Sequence, residues 1–291
     1  MPSLREVKDR IASVRSTLKI TSAMKLVASS KLRKAQRSIE NLRPYEETLS
    51  RILSALPQTL PQAAPDAEST PEDGEKPQER TIVLAFAGNT SMCGAFNANA
   101  VKRTQEVVNA AGGDVEVWAF GRKMAEALRK GGQAAARDYS SLVADPEFEA
   151  SRKISEELRA LSAAGECSRV VMVYNHFFST GKQAPVEEQL LPFLPPERET
   201  SAEPEDAGYY IYEPSASALA GDLVPQVTDL KLYAALLDSV AAEHAARMVA
   251  MQAATDNGQD LLSELTLEYN KGRQQKITSE ILDLVSGGSE S

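Results

Sequence analysis

Small or apolar residues recur at alternating steps of three and four near the start of the chain: Leu4, Val7, Ile11, Val14, Leu18, Thr21, Lys25, Ala28, Leu32, Ala35, Ile39 and Leu42. That spacing predicts a helix with one seam laid against another helix. Its start is marked by Ser3 and Glu6, a Ser-x-x-Glu box in which each side chain satisfies the other's backbone donor. The seam fails at Lys25 and weakens at Thr21, and Pro44 is a candidate kink near the far end. A second seam runs through Leu237, Ala241, His244, Met248, Met251, Thr255, Gly258, Leu262, Leu265, Tyr269 and Gly272, with small residues at Ala241, Thr255 and Gly258 that let a partner helix approach. The two seams match, and they predict helices of about 54 and about 60 residues, each reaching roughly 80–90 Å. The remaining chain would have a radius of gyration of only roughly 16 Å, so the pair is expected to project as a stalk.

Between the seams the pattern changes. Arg80–Gly88 is a short apolar run, Asp114–Gly121 alternates, Ser168–Phe177 is β-branched and apolar, and Tyr209–Pro214 is a further strand candidate. Helical stretches near Phe96–Ala111, Lys123–Lys130 and Ser151–Ala163 separate the first three, and such alternation implies an α/β layer with parallel pairing. Two segments rich in proline and acid, 57–80 and 192–208, are expected as mobile surface loops. The predicted division is an N-terminal stalk helix (1–56), a linker (57–80), an α/β globular domain (81–222) and a C-terminal stalk helix (223–291). The fold class is α/β, α+β overall: a long antiparallel coiled coil plus a Rossmann-like α/β domain.

Charge sharpens this picture. The net charge of −9 hides an asymmetry: residues 1–50 carry 11 Lys+Arg against 5 Asp+Glu, and no acid lies between Arg10 and Ile39. A basic helix of that kind seeks an acidic partner, a membrane surface or nucleic acid. Cys93 and Cys167 stand far apart without metal-ligand spacing, which points to a reducing compartment and no disulfide framework. No apolar run approaches the roughly 20 residues of a membrane span, and the N-terminus is charged from Arg5 with no signal core. Glu6 and Asp9 argue against a transit peptide, so a bacterial cytoplasm is the expected compartment.

Candidate chemistry is sparse. The loop GNTSMCGAFN, Gly88–Asn97, follows a strand and opens a helix, the context in which backbone amides cradle phosphate, but it has neither the lysine of a P-loop nor a G-x-G-x-x-G pattern. A plain strand-to-helix turn is the favoured reading, with Cys93 a small buried residue. His176 could be a base, yet no carboxylate or serine is placed by sequence to complete a relay, which favours a structural histidine. The basic helix has no aromatic residue before Tyr45 on which a base could stack. Two alternatives remain from these residues: a coiled-coil adaptor whose basic arm docks nucleic acid or anionic lipid, and an α/β enzyme using the Gly88 loop and His176.

Four stretches together, Ile11–Gln36 (IASVRSTLKITSAMKLVASSKLRKAQ), Arg43–Leu49 (RPYEETL), Ala246–Gly258 (ARMVAMQAATDNG) and Tyr269–Gly287 (YNKGRQQKITSEILDLVSG), resemble the gamma subunits of F-type ATP synthases. The resemblance covers the whole chain in order and departs at the Gly88 loop, where Asn89, Thr90 and Ser91 replace the family's usual Asp, Arg and Gly. It implies a non-catalytic rotor shaft that turns inside a ring of alpha and beta subunits and couples proton flow to ATP synthesis. The implied partners are alpha, beta and epsilon subunits and the membrane c-ring, with no cofactor, metal or nucleic acid, at the cytoplasmic face of a bacterial inner membrane. Arg273, Gln274 and Thr278 match positions that touch the beta catch loops, Met24 and Lys25 lie near the acidic beta lever, and Arg247 matches a position tied to shaft coupling.

Overall fold

The computed structural model describes residues 3–55, 80–193, 213 and 215–287, and the Tyr209–Pro214 strand candidate, apart from Glu213, lies outside them, as do 57–79 and most of 192–208. The chain forms two compact units, Met1–Ser29 with Arg247–Ser291, and Ser30–Ala246.

The first unit is a pair of helical segments, the start of α1 (Leu4–Ala55) and the end of α6 (Ala216–Gly287). The capping box forms: Glu6 N–H donates to Ser3 Oγ at 3.3 Å, and Ser3 N–H donates to Glu6 Oε2 at 3.2 Å. From Leu4 to Ala28 every seam residue is buried or half-buried, and every residue off the seam except Met24 is exposed. The pairing is antiparallel, because Leu4 meets Gly272, Leu18 meets Gly258 and Thr21 meets Thr255.

The second unit is built on a five-stranded sheet of order β3-β2-β1-β4-β5. The strands are β1 (Thr81–Phe86), β2 (Val115–Phe120), β3 (Arg137–Asp138), β4 (Arg169–Ser179) and β5 (Lys182–Leu191), parallel except for β5. The helices α2 (Phe96–Ala111), α3 (Arg122–Lys130), α4 (Ser140–Ala144) and α5 (Phe148–Ala163) connect them. All six residues of β1 are buried, as expected for a central parallel strand covered on both faces. One face sets Val83, Ala85, Val117, Ala119, Val171 and Val173 against Ala100 and Val107 of α2 and Met124 and Leu128 of α3. The other presents Leu84, Phe86, Trp118, Phe120 and Met172, none of them exposed, with the Phe86 and Phe120 rings stacked at 4.4 Å.

Two strands were not expected. β3 is two residues long, and β5 reads as polar because it is an edge strand paired only with β4, which also makes room for Pro185. The expected boundary at residue 223 is seven residues late. α6 begins at Ala216, where the Ser215 hydroxyl accepts from Ala218 N–H at 3.2 Å, and it runs on through Pro225. Pro44 likewise does not end α1, which continues to Ala55. In this second unit the far end of α1 joins the start of α6 through Leu49, Leu53, Leu223, Val227 and Leu230.

Candidate functional site

The helix pair of the first unit holds five of the six residues singled out by resemblance on polar or open ground. Its middle is a polar layer. The Thr21 and Thr255 hydroxyls lie 2.9 Å apart, and one turn on Lys25 Nζ donates to Gln252 Oε1, whose amide donates to Asp256 Oδ1 at 2.7 Å. The lysine that breaks the seam is thus half-buried and tied to the partner helix, and Met24 beside it is half-buried too. Arg273, Gln274 and Thr278 are all exposed, and the Thr278 hydroxyl donates to the Gln274 carbonyl at 2.9 Å, within its own helix. Arg247 differs, being 8% exposed.

Outside the seam this unit still carries large apolar side chains in the open: Ile20, Leu26 and Val27 on α1, and Leu261, Leu267, Ile277, Ile281 and Leu282 on α6. Leu26 and Leu267 are 68% and 72% exposed. The seam is already used for pairing, and exposed apolar side chains of this size mark a surface that another protein covers. On α1 they follow the exposed bases Arg10, Arg15 and Lys19.

In the second unit the Gly88 loop is a locked turn. Gly88 N–H donates to Asn97 Oδ1 at 2.9 Å, Asn97 Nδ2 donates to the Thr90 carbonyl at 3.1 Å, and Asn89 bridges Arg122 N–H and the Ser140 carbonyl. Cys93 is buried beneath it, as expected. His176 does have a carboxylate partner: Asp238 of α6 takes its Nδ1 on Oδ2 and the Phe177 N–H on Oδ1, the latter at 3.0 Å. Sixty-two residues separate His176 from Asp238, and sequence alone could not place them together. Burial pushes the Asp238 carboxyl above the usual carboxylate range, against the opposing pull of the Phe177 amide, His176 and Arg43. Tyr174 is pushed up as well, first by burial and then by Glu188, to which its hydroxyl donates at 3.1 Å. Among the described residues no group of three or more His, Cys, Asp or Glu side chains gathers as for a metal ion, and no helix is long and apolar enough to cross a membrane.

A family model described as ATP synthase matches residues 3–289. The ATP synthase gamma chain of Phocaeicola vulgatus is 42% identical over 294 residues, 99% of each chain. That of Bacteroides thetaiotaomicron is 42% identical over 303 residues, the full length of both. Among solved structures, a chain of the Euglena gracilis mitochondrial ATP synthase, OSCP/F1/c-ring assembly, aligns with a TM-score of 0.65 at 19% identity, covering 98% of this chain and 93% of that one.

Proposed function

The chain belongs to the ATP synthase gamma chain family, the central rotor stalk of the F1 motor, and on that premise we propose how it works. It is a non-catalytic axle. Its terminal helix pair stands inside a ring of alternating alpha and beta subunits that carry the active sites, while epsilon and the membrane c-ring hold the rest of the rotor at the cytoplasmic face of the membrane. An asymmetric shaft that touches three chemically identical sites differently makes their nucleotide affinities unequal. Turning it interchanges those affinities, a population shift driven by rotation.

The observation that carries this reading is the set of exposed apolar side chains outside an already occupied seam, Leu26, Leu267, Ile277 and Leu282 among them. A sleeve of protein around the pair buries them. Its acidic surface answers the exposed bases of α1 between Arg10 and Lys19. Within that contact, Arg273, Gln274 and Thr278 face the beta catch loops, Met24 and Lys25 face the beta lever, and Arg247 serves coupling. The adaptor and enzyme alternatives are set aside, since the family match runs the length of the chain.

Reconstitution tests the proposal. The chain is mixed with cognate alpha and beta subunits, and multisite ATPase activity is expected only when all three are present. ATPase-active rings that form and turn over equally well without it would refute the axle.

A further inference from the structure

In a sheet of order β3-β2-β1-β4-β5 the chain leaves β1 towards β2 on one side and has β4 on the other, so the carboxyl ends of β1 and β4 flank the crevice in which such folds hold a ligand. Here a helix fills that place. Ala242 of α6, with no exposure, packs against Cys93 and Phe96 behind the loop that follows β1, and Phe177 of β4 and Ala246 complete the cluster. Gly88 lies so close under Glu243 that a Cβ there would come within 2.7 Å of the carboxyl carbon.

The pairing of β1 with β4 ends at Ala85 and Val173. Beyond that point the Phe177 N–H of β4 turns to α6, donating to Asp238 Oδ1 at 3.0 Å, while His176 bonds the other oxygen. The Asp238 side chain is 15% exposed, so this bidentate link competes little with water. Nearer the start of α6, Lys231 Nζ donates to Glu188 of β5 at 2.8 Å, and Arg159 of α5 reaches Asp229 and the Pro225 carbonyl, the latter at 3.1 Å. The sheet and its flanking helix thus grip one helix at successive levels from Pro225 to Glu243.

We infer that the crevice at the ends of β1 and β4 is the socket in which the α/β domain holds the shaft, and that Asp238 is the positioning residue that locks α6 there for torque transfer. The inference rests on the axle reading. Apolar packing alone resists separation of two surfaces but resists sliding weakly. Two directional bonds to one buried carboxylate fix both the rotation of the helix and its height. Because α6 continues without a break to Gly287, a twist applied at Asp238 is carried by the same backbone.

Asp238→Ala, Asp238→Asn and His176→Ala are to be built into the complete membrane-bound complex, with ATP hydrolysis and ATP-driven proton pumping measured on the same inverted vesicles. For Asp238→Ala, protons pumped per ATP hydrolysed should fall at least threefold while hydrolysis stays within twofold of wild type. Asparagine, which still accepts from Phe177, should restore most of the ratio, and His176→Ala, at a half-exposed residue, should give an intermediate value. A merely structural role would lower hydrolysis and pumping together through loss of assembled complex. A ratio unchanged in both Asp238→Ala and His176→Ala overturns the inference, and if Asp238→Ala does not assemble, His176→Ala alone decides it. Vesicles lacking this chain are the separate control: pumping that survives its omission overturns the axle reading itself.

Discussion

The contact between Leu18 and Gly258 sets two known effects against each other. An alanine at position 258 would gain about 1 kcal/mol from helix propensity. Its Cβ would also stand 2.8 Å from Leu18 Cδ2 and 3.4 Å from Cγ, too close to leave the leucine in place. Pushing a half-buried side chain off its rotamer costs about 0.5–1.5 kcal/mol, so Gly258→Ala should leave stability nearly unchanged. In a Leu18→Ala background the obstacle is gone, and the same substitution should stabilise by the full ~1 kcal/mol. Gly272 provides the internal standard. There the nearest atom is Leu4 Cδ2 at 3.0 Å and the next is at 3.9 Å, a lighter encroachment. Gly272→Ala should therefore be the more stabilising of the two, while Gly258→Leu, which overpacks the seam, should cost about 1–3 kcal/mol. Urea titration of the full chain followed by circular dichroism reads all four. Equal stabilisation by Gly258→Ala in both backgrounds would show that the helices do not approach at this point.

Four further outcomes follow from the same structure. Thr21→Val or Thr255→Val alone should destabilise by about 1 kcal/mol through loss of the bond between the helices, whereas the double substitution should cost less than the sum, because that one bond can be lost only once; a double-mutant cycle in urea measures the difference. Gln274→Ala with Thr278→Ala should lower steady-state ATPase of the reconstituted complex tenfold or more, at about 1–3 kcal/mol per lost contact, while leaving the nucleotide chemistry at the beta sites, read by single-turnover hydrolysis, intact. Lys25→Glu, at the half-buried ammonium bonded to Gln252, should disturb ATP-driven pumping more than Lys31→Glu at an exposed position; equal effects would reduce both to solvated surface. Burial holds the Cys167 thiol above its usual value, so the unfolded chain ionises first. The stability it contributes is complete below about pH 8.5 and is lost as pH rises through the folded value, an alkaline decline that Cys167→Ala should flatten in denaturation curves.

The seams were legible because their periodicity is a property of one helix at a time: Leu4 to Ala28 follow the predicted steps residue by residue. The three main strands and their helices were legible for the same reason, since β1 and β4 are apolar runs and β2 alternates. β5 was not, because an edge strand covered on one side keeps Gln183, Glu187 and Glu188 and so loses its alternation. The start of α6 was missed because its first residues, Ala216 to Asp222, are mostly small or polar and carry no seam, and the cap at Ser215 is a single weak signal. Asp238 was invisible as a partner of His176 because its placement depends on how α6 crosses the sheet, which no local pattern encodes. Lys25 reads in sequence as a defect in the seam, and only the geometry supplies Gln252 as the reason it is tolerated.

Thr21 and Thr255 are separated by 234 residues of chain. At synthesis rates of about 5–20 residues per second, the first seam leaves the ribosome roughly 10–50 s before its partner exists. For that interval a finished helix carries a stripe with nothing to pair against, in a cell where other chains are emerging with stripes of their own. A continuous leucine seam would seize them. The hydroxyl of Thr21 and the ammonium of Lys25, set at its centre, keep the waiting helix soluble. The layer that bonds the two helices when the shaft is complete is thus also what protects the first of them while it is being made.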